Sequence, residues 1–426
     1  MGFETALSGL SASSQMLDVI GNNIANANTV GMKESRVEFG DLVAAAIGSG
    51  GTSSSTPGIG VRTATISQQF TQGNISVTGN NLDVAINGSG FFQITRTDGS
   101  TAFTRDGQFK LDKNGNILTD TGANLMGFPT DLNGVPTSIT PQNLTIPTTA
   151  PIPAQATTSI IASLNLNSSS PIAATQVPPT PRSTYGTSVT TYDSQGNAVP
   201  ETLYFTKLDP TTTPMGATTP ATDQWAVYDS LSAVTPVGYL AFGSTGALAN
   251  AYDSTGTVTT TPGMLQLTIP NASNPTAGPI TPTLDLSGVT QYGTAFSVAS
   301  LAQNGYTSGN FTNLSIDSRG VITTTYSNGQ TLKTGGMVAL ANFRNVEGLT
   351  PVGSGEYLQS YASGVPVLGD PSIGQAGALQ AGAVESSNVD LTAELVNMMT
   401  AQRNYQANAQ SIKTEDQIMS TLVNLR

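Results

Sequence analysis

Cysteine and histidine are both missing from the 426 residues. Their absence excludes disulfides, thiolate nucleophiles, Cys/His zinc sites and every triad built on an imidazole base. Charge is scarce too: 10% of residues are charged, and 15 Lys+Arg against 27 Asp+Glu leave a formal net charge of -12. So acidic and cation-poor a chain makes a poor partner for nucleic acid, which is bound by neutralising phosphates. No run approaches the ~20 apolar residues of a membrane helix. Met1-Gly2-Phe3-Glu4 offers no basic start for a secretory leader. The expectation is therefore no membrane insertion and, if the chain leaves the cell, no cleaved leader. What is abundant is uncharged: 45 Gly and 24 Pro stand among many Ser, Thr and Asn. That composition fits turn-rich β structure. At ~150 residues per domain, the length suggests two to four domains.

The two ends differ from the middle. Phe3, Leu7, Leu10, Ser14, Leu17, Gly21 and Ile24 alternate four and three apart, the spacing of one helical seam. The seam dissolves into Asn22, Asn23, Asn26, Asn28 and Gly31, so a stop near 25–31 is expected. Leu391, Leu395, Met398, Gln402, Tyr405, Ala409, Ile412, Asp416, Met419 and Val423 repeat the spacing in a helix from about 389 to 426. Ser387-Asn388-Val389-Asp390 reads as its capping box. Neither helix has a wide apolar face, which favours assembly with neighbouring subunits over packing on the chain's own β domains.

Between the ends the period changes to two. Leu82, Val84, Ile86, Phe92 and Ile94 alternate around Asn87-Gly88. Further turn pairs stand at Asp98-Gly99, Asp106-Gly107, Asn114-Gly115, Asn133-Gly134, Asn304-Gly305 and Asn328-Gly329. Such pairs supply the positive φ of tight hairpins, so the middle is read as antiparallel β. Within it the best strands of a second β domain are Tyr185–Tyr192, Glu201–Leu208, Gln224–Tyr228 and Met264–Ile269, with Trp225 half-buried. Residues 42–61 carry no charge and include Gly48 to Ser55, which reads as a flexible linker.

Motifs for chemistry fail one by one. Asp112-Lys113-Asn114-Gly115-Asn116 has its glycine two residues too early for a calcium loop and lacks the closing Glu, so it reads as a turn. Gly88-Ser89-Gly90 lacks the third glycine and following helix of a phosphate cradle. The carboxylates Asp98, Asp106, Asp193 and Asp317 fall in turns rather than in a pair suited to glycoside hydrolysis. No catalytic, cofactor-binding or metal-ligating residue is assigned.

Longer stretches carry a resemblance. Ser8-Gly9-Leu10, Leu17 to Asn26 and Ala27 to Lys33 resemble the signature of bacterial flagellar rod and hook proteins, with Met32 where that family usually has Phe. Leu82 to Ile86, Gly90-Phe91-Phe92, Arg105 to Phe109, Thr191 to Asn197, Leu340 to Phe343, Asn345 to Leu349, Glu385 to Leu391 and Glu394 to Gln406 are similar to the hook members of the family. The resemblance implies an α+β, mostly β fold: terminal helices forming a coiled-coil-like inner domain, and two nested antiparallel β domains. It implies 1–30 and 387–426 as inner helices, 31–75 as linker and export-related segment, 76–146 and 291–386 as the first β domain, and 147–290 as an inserted outer one.

The function implied is a non-enzymatic structural subunit that polymerises into a curved hollow tube outside the cell, a universal joint passing torque from rod to filament. Implied partners are the chain itself, rod, hook-cap and hook–filament junction proteins, and the flagellar type III export apparatus. No cofactor is implied. Phe3, Leu7, Leu10, Leu17, Ile24, Leu391, Leu395, Met398, Tyr405, Ile412, Met419 and Val423 are the candidate assembly interface. Phe39-Gly40-Asp41-Leu42-Val43 resembles the short export element, so Phe39 and Val43 are candidates for recognition; by pattern alone one turn of amphipathic helix fits it equally well. The alternatives are a distal rod or hook-cap-adjacent protein and, from another class, a phage-tail-type glycan hydrolase.

Overall fold

Helix α1 covers Gly2–Ala25 in the computed structural model, which describes residues 2–43, 58–148, 150–173, 186–209, 223–271 and 275–424. It ends as expected in the Asn run: the N–H groups of Asn26 and Thr29 turn back onto the carbonyls of Asn22 and Asn26. The chain then leaves through Gly31, at φ 70°, where a Cβ would stand 2.6 Å from the Asp106 nitrogen. Only glycine fits there. Helix α2 covers Leu391–Asn424. Its cap is not Ser387 but Asp390, whose Oδ1 accepts the N–H groups of Thr392 at 2.8 Å and Ala393 at 3.2 Å. A carboxylate at that place also meets the positive end of the helix dipole.

The segment after α1 holds strand β1 (Ser35–Val43), paired antiparallel with β2 (Gly58–Gln68) through two register shifts. Leu42, Val43 and 58–61, expected in a flexible linker, are in these strands, and Gly48 to Ser55 lie outside the described residues. Phe39-Gly40-Asp41-Leu42-Val43 is strand rather than a helical turn.

The chain divides into two units. The first comprises Met1–Thr149, Thr312–Thr325 and Thr331–Arg426. Its largest sheet carries Phe91–Thr95 and Thr101–Thr104 as an antiparallel pair. Phe91, Phe103, Ala341, Leu349 and Tyr357 form a core under it, with Phe70 and Phe343 edge-on to Phe91. The second unit comprises Ala150–Phe311 and Tyr326–Gln330. Gly186–Tyr192, Ala198–Leu208, Asp223–Tyr228, Gly238–Phe242 and Leu248–Asp253 make an up-and-down antiparallel sheet. A second sheet is built on Ser159–Asn167 and includes short parallel pairs to Thr283–Asp285 and Thr290–Tyr292, a departure from a wholly antiparallel middle. The strands read from the sequence fall in this unit, though the last shortens to Met264–Gln266. Trp225 is fully buried, not half-buried, because its strand is covered on both faces and Leu203, Phe205, Leu240 and Phe242 pack around it.

Five of the turn glycines read from sequence, Gly88, Gly99, Gly115, Gly134 and Gly329, have positive φ. Gly107 and Gly305 do not; added Cβ atoms there would collide with the Val84 carbonyl and the Thr157 hydroxyl, so close approach and not turn geometry fixes them. Nor does Asn87-Gly88 close a hairpin: Val84–Asn87 pairs with Ala378–Ala381, whereas Phe91–Thr95 pairs elsewhere. The recurring turn is instead Asp-x-x-Gly. Asp112, Asp131, Asp193, Asp253 and Asp317 each accept backbone N–H bonds from residues two and four further on. The glycine three residues on takes positive φ in every case, as a three-residue hairpin connection requires.

Candidate assembly site

The helices lie against each other in opposite directions. Gly9 of α1 faces Asn408 of α2 so closely that a Cβ would stand 2.9 Å from Asn408 Nδ2. At the other end Asn23 Nδ2 donates to Glu394 Oε1 at 3.0 Å. The side chains that α1 buries are Ala6, Ser13, Ile20 and Asn23. This face lies to one side of the expected seam. Phe3 and Leu7 are exposed, and Leu10, Leu17 and Ile24 are half-buried. On α2 the packed face carries Glu394, Met398, Ala401 and Ile412, while Leu391, Leu395, Tyr405 and Met419 are exposed. Val423 lies within α2 and Val43 within β1, but their side chains are outside the described residues. Small residues at the contact explain the offset: Ala6, Gly9, Ser13 and Ala401 let the helices approach, which pushes the large apolar side chains outward.

What ties the helices to the β body is polar and was not legible as a site. Asn23 pairs with the backbone of Ser35 in both senses, accepting its N–H at 3.0 Å and donating to its carbonyl at 2.8 Å. Asn388, just before α2, accepts the Glu34 N–H at 2.8 Å and donates to the Gln69 carbonyl at 2.8 Å. At the centre is Glu385. Its Oε1 takes Lys33 Nζ at 2.6 Å and the Gly73 N–H at 2.8 Å, and its Oε2 takes Arg105 Nη1 at 3.0 Å. Lys33 also donates to the Thr71 carbonyl at 2.8 Å, and Arg105 to that of Gly88 at 2.9 Å. The Arg105 guanidinium stands 5.3 Å from the centroid of the Phe91 ring, within cation–π range.

Lys33 and Glu385 are fully buried and Arg105 nearly so. Burial pulls the Lys33 ammonium below its ordinary range, against the opposing pull of Glu385, and acts on Arg105 in the same direction. Beside them, burial pushes the Tyr357 hydroxyl up to about 12. Two buried cations share one carboxylate, so the cluster depends on the Glu385 hydrogen bonds staying complete. Three distant parts of the sequence meet here: the exit of α1, the first β region and the approach to α2. The signal was present in Gly31-Met32-Lys33, Arg105-Asp106-Gly107 and Glu385-Ser386-Ser387-Asn388, each a charged or amide residue in a chain with little charge.

Between α1, β1 and α2 a cavity of about 500 Å³ is lined by Met16, Val19, Ile20, Val37 and the candidate export residue Phe39, with Glu34 and Glu394 at its polar side. Burial first, and Glu394 second, raise the Glu34 carboxyl above its ordinary value. Among the described residues no group of three or more His, Cys, Asp or Glu could hold a metal ion, and no helix is long and apolar enough to cross a membrane.

Antiparallel terminal helices are thus locked by a polar joint onto a mostly β body. Family models agree along the chain. "Flagella basal body rod protein" matches residues 3–33, "Flagellar hook protein FlgE/F/G D1 domain" 85–163, "Flagellar basal body protein FlaE D2 domain" 163–306 and "Flagellar basal body rod FlgEFG protein C-terminal" 380–425. Similarity to flagellar hook protein FlgE of Escherichia coli (strain K12) is 39% identity over all of both chains. Against that of Treponema pallidum it is 33%, over 99% of this chain and 98% of the relative. The crystal structure of Helicobacter pylori flagellar hook protein FlgE2 matches in fold, with a TM-score of 0.52 at 14% identity over 73% of this chain and 100% of that one. The chain belongs to the flagellar hook protein family and is a subunit of the flagellar hook. These full-length matches do not favour the distal rod and glycan hydrolase alternatives.

Proposed function

We propose that the chain is a non-enzymatic subunit that assembles into a curved hollow tube outside the cell and passes torque between rod and filament while bending. The observation that carries this is the exposure of Phe3, Leu7, Leu391, Leu395 and Met419 on helices already paired within one subunit. Such side chains find their apolar partners in other copies. In this reading 1–30 and 387–426 are the inner domain that interlocks, and the Lys33–Glu385–Arg105 cluster transmits load from the helices to the β body. The unit around 150–311 forms an outer domain whose Thr-, Ser- and Asn-rich surface makes weak, exchangeable contacts as the tube bends. Export through the flagellar type III apparatus, with Phe39 and Val43 in the recognised element, and contacts to rod, hook-cap and hook–filament junction proteins belong to the same reading.

The test is polymerisation of the purified full chain beside Leu17→Asp. Loss of polymer with unchanged melting of the β body supports interlocking helices; polymer at the parent's concentration refutes it.

A further inference from the structure

Five Asn-Gly pairs stand in the chain, at 87–88, 114–115, 133–134, 304–305 and 328–329. Each carries a latent reaction. The glycine nitrogen, once deprotonated, attacks the Asn carboxamide carbon; a new C–N bond closes a succinimide ring and ammonia leaves. Water then opens the ring to aspartate or isoaspartate. Glycine has no Cβ to obstruct the attack, so all five pairs are open to it in an unfolded chain. Folding decides which of them reacts.

The attacking nitrogen is tied down in every pair. Gly115, Gly134 and Gly329 donate their N–H to the carbonyls of Asp112, Asp131 and Tyr326 at 3.1, 3.0 and 2.9 Å. Gly88 donates to Gln72 Oε1 at 3.1 Å and Gly305 to Gln303 Oε1 at 2.5 Å. What differs is the carboxamide. Asn304 Oδ1 accepts the N–H groups of Thr158 and Ser159, both at 3.0 Å, and its Nδ2 donates to Thr158 Oγ1 at 2.7 Å. Asn328 Nδ2 donates to the Thr307 carbonyl at 2.6 Å, and its Oδ1 accepts the Gln330 N–H at 3.0 Å. Gln72 clamps both members of its pair, since its Nε2 also donates to Asn87 Oδ1 at 3.4 Å. The Asn133 side chain serves the Asp131 carboxylate as a donor. Only the exposed Asn114 carboxamide has no hydrogen-bond partner among the described residues. Beside it, Lys113 is exposed and in no ion pair among the described residues. A free ammonium there favours loss of the Gly115 proton.

We propose that Asn114 is a site of spontaneous modification, the one Asn-Gly pair that the fold leaves able to form a succinimide in the native chain. It sits in the turn between the paired strands Phe109–Leu111 and Ile117–Thr119. Its own N–H bonds Asp112 Oδ1 at 2.9 Å, and the Gly115 carbonyl takes the Ile146 N–H at 2.7 Å. Conversion sets a second carboxylate beside Asp112, and isoaspartate lengthens the main chain inside this turn. The site stands whether or not the chain assembles with its copies.

The test compares the native full chain with the same chain in guanidinium chloride, both incubated in one mildly alkaline buffer. Peptide mass spectrometry reads the amide-to-acid conversion at each pair over time. The denatured chain is expected to convert at all five. In the native chain Asn114 is expected to convert first. Asn304 and Asn328 should lag it by roughly tenfold or more, since each hydrogen bond that must break first adds to the barrier. The Asn114→Gln chain should lose the early product and keep the native fold. Another pair converting as fast as Asn114 in the native chain overturns the proposal. So does an Asn114 that stays intact in the native chain while the denatured chain reacts.

Discussion

At the scale of single residues the structure turns on a few buried charges. Replacing Glu385 with Gln leaves Lys33 and Arg105 without a counter-charge in a dry site, the kind of change that costs roughly 3–5 kcal/mol. Chemical denaturation of the Glu385→Gln chain is expected to reveal that loss in the first unit and no change in the Trp225 fluorescence transition of the second. Glu201 works in the opposite direction. Burial first, and Asp229 second, push its carboxyl up to about 7, so the folded chain keeps a proton that the unfolded chain releases near its ordinary value. Stability of the second unit should therefore fall as pH rises from about 4.5 to about 7 and level off above. Melting followed at Trp225 across that range should show the fall, and Glu201→Gln should flatten it. Asp112 has the reverse sign. Hydrogen bonds led by the Asn116 side chain hold Asp112 below the ordinary carboxylate range, so their contribution is present at neutral pH and fades in acid. Turns such as those at Gly115, Gly134 and Gly329 were legible from their Asn-Gly pairs, because turn residues act locally. The Lys33–Glu385–Arg105 cluster was not, because its members are 280 or more positions apart from Glu385 and only tertiary structure joins them.

At the scale of elements, the helices were legible in extent but not in facing. Four-three spacing gave the ends of α1 and α2 within a few residues, yet the face each helix buries is chosen by small residues that hydrophobic spacing ignores. Glu394 and Ala401 are buried, but beyond Ala401 no described residue of α2 is. That half of the helix has little to hold it in a lone subunit. Limited proteolysis of the monomer is expected to remove the C-terminal part of α2 first and leave a resistant β core, whereas a full-length resistant monomer would contradict the assignment. Leu395 lies outside the packed face, so Leu395→Asp should leave monomer melting within about 0.5 kcal/mol of the parent and abolish polymer, as sedimentation would show. The β1–β2 hairpin was illegible for a different reason. Its described side chains are half-buried or exposed on both faces, its apolar alternation is confined to Val37 and Phe39 and to Ile59 and Val61, and the uncharged stretch at 42–61 reads as a linker.

At the scale of the molecule, each unit has a core of its own: an aromatic cluster around Phe91 and Phe103 in the first, and the two-sheet core around Trp225 in the second. In the proposed reading these cores hold the β structure and the helices serve assembly. In the proposed assembly the terminal helices drive the polymer. Electron microscopy of the full chain at high salt and high concentration, beside a variant lacking 1–30 and 388–426, tests it most directly. Hollow curved tubes from the full chain, and dispersed particles with an intact Trp225 core from the shortened one, are the result expected. Tubes from the shortened chain would contradict the account.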